Sequence, residues 1–200
     1  MSAENISIIN EEQKTQFIDL LIRTERKGID KLIEYLEQKT DFFTAPASVK
    51  FHNNFNGGLL DHSLKVYENF KGLLALKNVE MDEESVIISS LLHDLCKCNL
   101  YIKEERNKKV NNQWEKYETW GYSKDISILL PHSSRSIRVI RSFITIKYIE
   151  ELCIFYHMGP FGGEDYEYRN MMQMANEKQP QTLLFYTADL ISSYMDEKII

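Results

Sequence analysis

The sequence predicts a mainly α-helical chain carrying one short β-hairpin. Apolar residues recur at three- and four-residue spacing through most of the 200 residues, which is the period of an amphipathic helix. Asparagine or aspartate stands ahead of several of these stretches, where a helix takes its cap. One segment, Asn99 to Tyr122, loses that period and alternates large and charged side chains about a central Asn-Asn. That is the pattern of two strands joined by a tight turn.

Taken in chain order, Asn10 is placed to cap a first helix running to about Arg26, with Phe17, Leu20, Leu21 and Thr24 inward. Asp30 is placed to cap a second, with Leu32, Ile33 and Leu36 inward. The stretch "TDFFTAPASVKFHNNFNGG" holds a proline, two adjacent glycines and small polar residues, and reads as a loop. A third helix begins near Leu59 and carries Leu60, Leu64, Tyr67 and Leu74. Asp82 caps the next, with Glu83 and Glu84 suiting the positive end of the helix dipole, and that helix ends at "LLHDLCK". After the hairpin, helices are expected from about His132 to Ile144 and from Lys147 to Met158. "GPFGGEDYEYRN" reads as a glycine-punctuated loop able to act as a lid. Pro180 suits a helix start and opens a last helix through Asp189 to about Glu197.

The composition limits the function. With 43% hydrophobic residues the chain can bury one substantial core, and its length demands no second domain. The net charge is -6 with no basic stripe, which argues against binding along nucleic acid. No apolar run approaches the roughly 20 residues that span a bilayer. The start "MSAENISIINEEQK" lacks a signal peptide's basic and apolar regions, and the cysteines are an odd set, Cys96, Cys98 and Cys153. A reduced, cytoplasmic protein is expected.

Why does a core-building helix end in His93-Asp94? A single histidine beside apolar residues is ordinarily a hydrogen-bonded structural residue, and that account serves His62, His132 and His157 taken singly. Adjacent helical residues point about 100° apart, so both members of the pair cannot face one core, although at a helix terminus both can flank one ion. Imidazole nitrogen and carboxylate oxygen together suit zinc, iron or manganese. Asp189 is the second anomaly, because "LLFYTADLISSYM" is apolar on every side of it. A buried carboxylate there needs a cation, from a lysine or arginine or from a metal. Lys97 shares a helical face with His93 and Asp94, as an ion-pair partner of Asp94 or as a contact for a substrate anion. Cys96 and Cys98 offer a competing structural zinc site with His93, though no second cysteine pair closes it.

The ordered set "GGLLDHS" (His62), "LLHDLCK" (His93, Asp94, Lys97), "LLPHSSRS" (His132), "FYHMG" (His157) and "FYTADLI" (Asp189) resembles the signature of the HD-domain metal-dependent phosphohydrolase superfamily. The resemblance runs from about Asp41 to Asp196 and is nearest to small single-domain HD proteins of bacteria and bacteriophages, which share the lead-in seen here as "DFFTAPASVKFH". It implies an HD-domain helical bundle over residues 41–200, with the helices of residues 1–40 packed on the same single domain. It implies one or two divalent transition-metal ions, Mn, Fe, Zn, Co or Ni. His62, His93, Asp94 and Asp189 match the ligands of a first ion, and His132 and His157 match those of a second bridged by Asp94. Catalysis falls to Asp94 and Lys97, and substrate contact to Lys97 and Arg135; His52, in the loop before the first ligand helix, is by its position a candidate for substrate contact or for plain loop structure. The chain departs from the pattern at Cys96, where many relatives have glycine, and around His132, where "PHSSRS" replaces "GHGEKS" and Arg135 keeps a positive charge.

The chemistry implied is hydrolysis of a small phosphorylated substrate, a nucleotide first, as a monoester, diester or triphosphate. Metal coordination lowers the pKa of bound water from about 15.7 towards 7 and so supplies a nucleophile without serine or cysteine. Asp61, beside His62, is a candidate to orient a ligand or act as general acid, against the more ordinary role of a solvated residue complementing the dipole at a helix start. Arg106, Lys108, Lys109 and Arg169 are candidates for the cleft mouth or for plain surface charge. Phe55, Tyr156, Phe161, Tyr166 and Tyr168 are candidates to stack a base. A second reading is a catalytically idle, nucleotide-binding HD regulatory module. A third is a 3′-5′ exonuclease or phosphodiesterase. A homodimer is compatible with each.

Overall fold

A computed structural model describes residues 3–49, 53–124 and 129–197, with side chains from residue 11 onward. It is mainly α, with eight α-helices among the described residues and one two-stranded antiparallel hairpin. The helices are α1 (Ala3–Arg23), α2 (Ile29–Lys39), α3 (Gly58–Lys77), α4 (Glu83–Leu92), α5 (His132–Arg141), α6 (Tyr148–Tyr156), α7 (Tyr166–Lys178) and α8 (Pro180–Ile191). Strands β1 (Tyr101–Val110) and β2 (Gln113–Tyr122) lie between α4 and α5. Among the described residues no helix is long and apolar enough to cross a membrane.

Most sequence signals hold locally. Asp82 caps α4, its carboxylate accepting from the Ser85 backbone N–H at 2.8 Å. Pro180 opens α8. Asn111 and Asn112 form the hairpin turn with φ of 48° and 70°, the left-handed pair that a two-residue turn of strand-compatible twist requires.

Three expectations are corrected. Helix α1 is already formed at Ala3, so Asn10 lies inside it; no glycine or proline between Ala3 and Asn10 breaks the backbone there. Asp30 lies in the first turn of α2 rather than at its cap. The cap is Gly28 at φ 93°, where a Cβ would meet the Phe143 carbonyl oxygen at 2.2 Å, so only glycine fits this crossing. The loop expected over residues 159–170 is a short 3-10 turn, Gly159–Phe161, followed by α7. Asp165 caps α7, accepting from the Tyr168 N–H at 2.7 Å. The helix has no fully buried residue; its one apolar face, Tyr168, Met171, Met172 and Ala175, is short and set among charged residues and follows a glycine-rich stretch that reads as loop.

The main core runs from Phe17 and Leu21 of α1 through Leu32 and Leu36 of α2 to Phe70, Ile87, Leu91, Ile154 and Phe185. Helix α3 packs on α4 and α8, and α6 packs on the same two. This arrangement brings the C-terminal ends of α4, α6 and α8 to one place beside the start of α3. A buried Arg26–Glu150 pair, 2.7 Å, ties the turn after α1 to α6.

Candidate metal centre

Two of the histidines end helices. His93 is the C-cap of α4 and His157 the C-cap of α6. Carbonyls in the last turn of a helix lack intrahelical partners, and each ring uses one: His93 Nδ1 donates to the Ser90 carbonyl at 2.8 Å, and His157 Nδ1 to the Ile154 carbonyl at 2.6 Å. A carbonyl can only accept, so Nδ1 carries the proton and Nε2 of the neutral ring is a bare lone pair. His62, in the second turn of α3, is fixed likewise by a carboxylate, its Nδ1 lying 2.6 Å from Glu197 Oε1.

The three Nε2 atoms converge. His62 Nε2 and His93 Nε2 are 3.1 Å apart. His157 Nε2 is buried without a hydrogen-bond partner, Asp94 Oδ1 standing 3.6 Å away. Two lone pairs facing each other at hydrogen-bond distance require a cation between them, a proton or a metal ion. The two helix C-termini that deliver His93 and His157 add negative dipole ends at the same place, which again favours a cation.

Asp94 sits at the centre, 2% exposed. Its Oδ1 is 2.6 Å from His132 Nε2, and its Oδ2 is 2.7 Å from Lys97 Nζ, 3.4 Å from His93 Nε2 and 3.5 Å from His62 Nε2. Burial alone would raise this carboxyl, but Lys97 and the surrounding imidazoles prevail and hold it well below the ordinary carboxylate range. Asp189, on α8, reaches His62 Nε2 at 3.2 Å and is held low in the same way. Burial pulls the His62 imidazole down, but Glu197, Asp189 and Asp94 outweigh it and raise the ring well above 6.5. A proton at His62 does there what a metal cation would do, offsetting the charge of Glu197, Asp189 and Asp94.

His62, His93 and Asp94 place ligand atoms close enough to share one metal ion, and Asp94, Cys96 and His132 form a second such group. Cys96 Sγ is 3.3 Å from His132 Nδ1 and 3.5 Å from Nε2. Cys98 belongs to no such group among the described residues, so the expected Cys96–Cys98–His93 alternative is not assembled.

A cavity of about 430 Å³ opens over the cluster, with His62, Asp94, Lys97, His132, His157 and Asp189 on its lining. A larger groove of about 670 Å³ between α1 and α3, lined by Glu11, Asp19 and Lys71 among others, holds no comparable cluster. Arg135 does not line the site cavity; its Nη1 donates to the Cys96 carbonyl at 3.4 Å. His52 lies outside the described residues. Asp61 faces away from the cluster, accepting from Gln13 at 2.8 Å, Asn53 at 2.5 Å and Lys65 at 2.6 Å. It thereby fastens α1 and Asn53 to α3, a structural role. Arg106 pairs with Glu104 on the hairpin. Of the aromatic candidates, Phe161 lines the cavity, while Tyr156 is buried against Phe155 and Tyr168.

Sequence reasoning missed Glu197, Tyr186, Ser193 and Tyr194, all on the cavity lining. Tyr186 and Ser193 stand three residues before and four after Asp189, the spacing that shares a helical face, so a signal was there. Tyr194 and Glu197 lie in and just after a π-helical turn, Ser192–Asp196. Such turns have no sequence period of their own.

Fold and site together define a mainly helical protein with a buried histidine–carboxylate centre able to hold a metal ion. Over 70 aligned residues the chain is 34% identical to the dihydroneopterin 2′,3′-cyclic phosphate phosphodiesterase of Methanocaldococcus jannaschii. The match takes in 30% of this chain and 26% of that relative, about a quarter of its length. No family model matches the chain, and no solved structure does.

Proposed function

We propose that this protein is an HD-type metal-dependent phosphohydrolase, its residues 41–200 forming one domain on which the first two helices pack. One observation carries the reading: three imidazoles, each with Nδ1 engaged elsewhere, turn their Nε2 atoms towards Asp94 and Asp189, and His157 Nε2 is buried with no hydrogen-bond partner, Asp94 Oδ1 standing 3.6 Å away. A buried polar atom left so is costly, and a divalent transition metal relieves the cost. His62, His93, Asp94 and Asp189 would hold a first ion, with His132, His157 and Asp94 available to a second.

A divalent metal held by these residues would supply Lewis acidity towards a phosphoryl oxygen and would lower the pKa of coordinated water towards about 7. The chain's own groups do the rest. Asp94, fixed from both oxygens, orients the centre. Lys97, held at 2.7 Å from Asp94 and on the cavity lining, neutralises charge developing on a phosphoryl oxygen. Glu197 keeps His62 in the tautomer that ligates. The partial likeness to a phosphodiesterase supports a phosphate ester as substrate, and a nucleotide is the first class to try.

The test is metal analysis of protein purified without chelator, followed by hydrolysis assays over phosphomonoesters, linear and cyclic diesters and nucleoside triphosphates. Bound divalent metal, turnover in one of these classes, and loss of both in His93→Ala and Asp94→Ala are expected. Retained metal with no turnover on any phosphate compound would replace the enzyme with a regulatory nucleotide-binding module.

A further inference from the structure

The cavity over the centre has two unlike sides. Its floor is anionic, with Asp94, Asp189 and Glu197, and among the described lining residues Lys97 is the only lysine or arginine. That one cation is already engaged with Asp94. Arg135 is turned to the Cys96 carbonyl instead. A triphosphate brings roughly four negative charges, and sites that take one spread lysine, arginine and backbone N–H groups along the phosphate chain. Among the described lining residues no such series of lysine and arginine side chains stands.

The wall is aromatic. Phe161 and Tyr194 line the cavity yet leave 78% and 82% of their surface in water, an apolar patch at a polar mouth that suits a ligand. Both are held by built features. Gly159 adopts φ +53°, and a Cβ there would lie 2.3 Å from Tyr186 Cε2, so glycine alone lets this ring lie against the turn that presents Phe161. Tyr168 Oη donates to the Gly159 carbonyl at 3.0 Å and fixes the same turn. Tyr194 sits in the π-helical turn, which Asn69 pins by donating to Ser192 Oγ at 2.9 Å and Asp196 Oδ2 at 2.6 Å.

Resting on the phosphohydrolase reading, we propose that the substrate joins a single phosphoryl group, as a monoester or diester, to a flat aromatic group held against Phe161, Tyr186 and Tyr194, and that polyphosphates are poor substrates. The metal centre and Lys97 meet the one or two charges of such a group. The aromatic wall supplies the remaining affinity by stacking, which tolerates any planar ring system.

Phenylphosphonate and methylphosphonate carry the same head group and differ in the ring. Titrated against Mn²⁺-loaded protein, phenylphosphonate is expected to bind tighter by about tenfold, the scale of one aromatic stack. In Phe161→Ala and Tyr194→Ala that ratio falls towards unity. Both side chains are exposed, so neither change opens a core cavity, and an unaltered manganese content per chain verifies the fold. In parallel, kcat/KM for adenosine mono- and cyclic monophosphates is expected to exceed that for adenosine triphosphate supplied as its magnesium complex. Equal affinity for the two phosphonates, a preference that survives in both variants, or a preference for the triphosphate overturns this inference and leaves the phosphohydrolase reading standing. Absence of any phosphonate binding together with absence of any phosphate turnover overturns both.

Discussion

Glu197 Oε1 lies 2.6 Å from Nδ1 of His62, joining the last described residue to the start of α3. Both groups are buried, so the carboxylate directs the ring's other nitrogen towards Asp94 and Asp189. Outer partners of this kind ordinarily contribute about 10–100-fold to metal affinity. Glu197→Ala is therefore expected to weaken divalent-metal binding by about that factor in a competitive chelator titration. Unchanged affinity would reduce the contact to packing.

Metal should also stabilise the fold. At a free concentration about 100 times its Kd, a ligand adds about 2.7 kcal/mol, which for a chain of this size raises Tm by about 5–10 °C. Thermal scans with manganese and with chelator should differ by that much in the wild type and should coincide in Asp94→Ala.

Lys97→Met separates binding from chemistry. The ammonium touches Asp94 and the cavity but ligates nothing, so metal content should persist. Loss of one charge-stabilising donor typically costs about 10²–10³ in kcat. A variant that hydrolyses its best phosphate ester at the wild-type rate would remove Lys97 from the mechanism.

Arg26 and Glu150 form a two-pronged pair, 2.7 and 2.8 Å, in which Glu150 is fully buried and also accepts from Ser85 Oγ at 2.7 Å and the Lys147 N–H at 2.8 Å. Removing the guanidinium strands a buried carboxylate. Arg26→Met should cost about 3–5 kcal/mol in urea unfolding, and Arg26→Met with Glu150→Met should recover much of it.

Asp82 gives a pH signature away from the metal centre. Partial burial works to raise its carboxyl, but the Ser85 N–H and Lys147 ammonium prevail, so its folded pKa is below the ordinary 3.8. A depressed acid contributes stability that is fully present above the unfolded pKa and is lost as pH falls through the folded one. Asp82→Ala should cost about 0.5–2 kcal/mol near neutrality. The gap from wild type, followed by denaturant midpoints, should close as pH is taken below 3.8. A gap that stays constant would assign the loss to helix propensity rather than to the cap.

Legibility followed the range of the interaction. The hairpin about Asn111-Asn112, the Asp82 cap and the Pro180 start were readable because each is set by a few neighbouring residues. Helix α7 was not, because it buries no residue fully and its short face of Tyr168, Met172 and Ala175 follows directly on the glycines that read as loop. His93 and Asp94 announced a site by being costly in a core helix, and Asp189 by being a carboxylate among apolar neighbours. Glu197 gave no such sign, since an acid in the charged run "MDEK" looks like surface until the π-helical turn folds it under His62.

The sequence by itself determined the helical class, the hairpin and the residue types able to hold a metal, because periodicity, capping and side-chain chemistry are local properties. Only the tertiary structure decided that His62, His93, His157 and Asp189 meet around Asp94, that Arg135 and Asp61 turn elsewhere, and that one side of the cavity is aromatic. Those outcomes depend on how α3, α4, α6 and α8 cross, and packing between distant segments leaves no period in the chain from which it can be read.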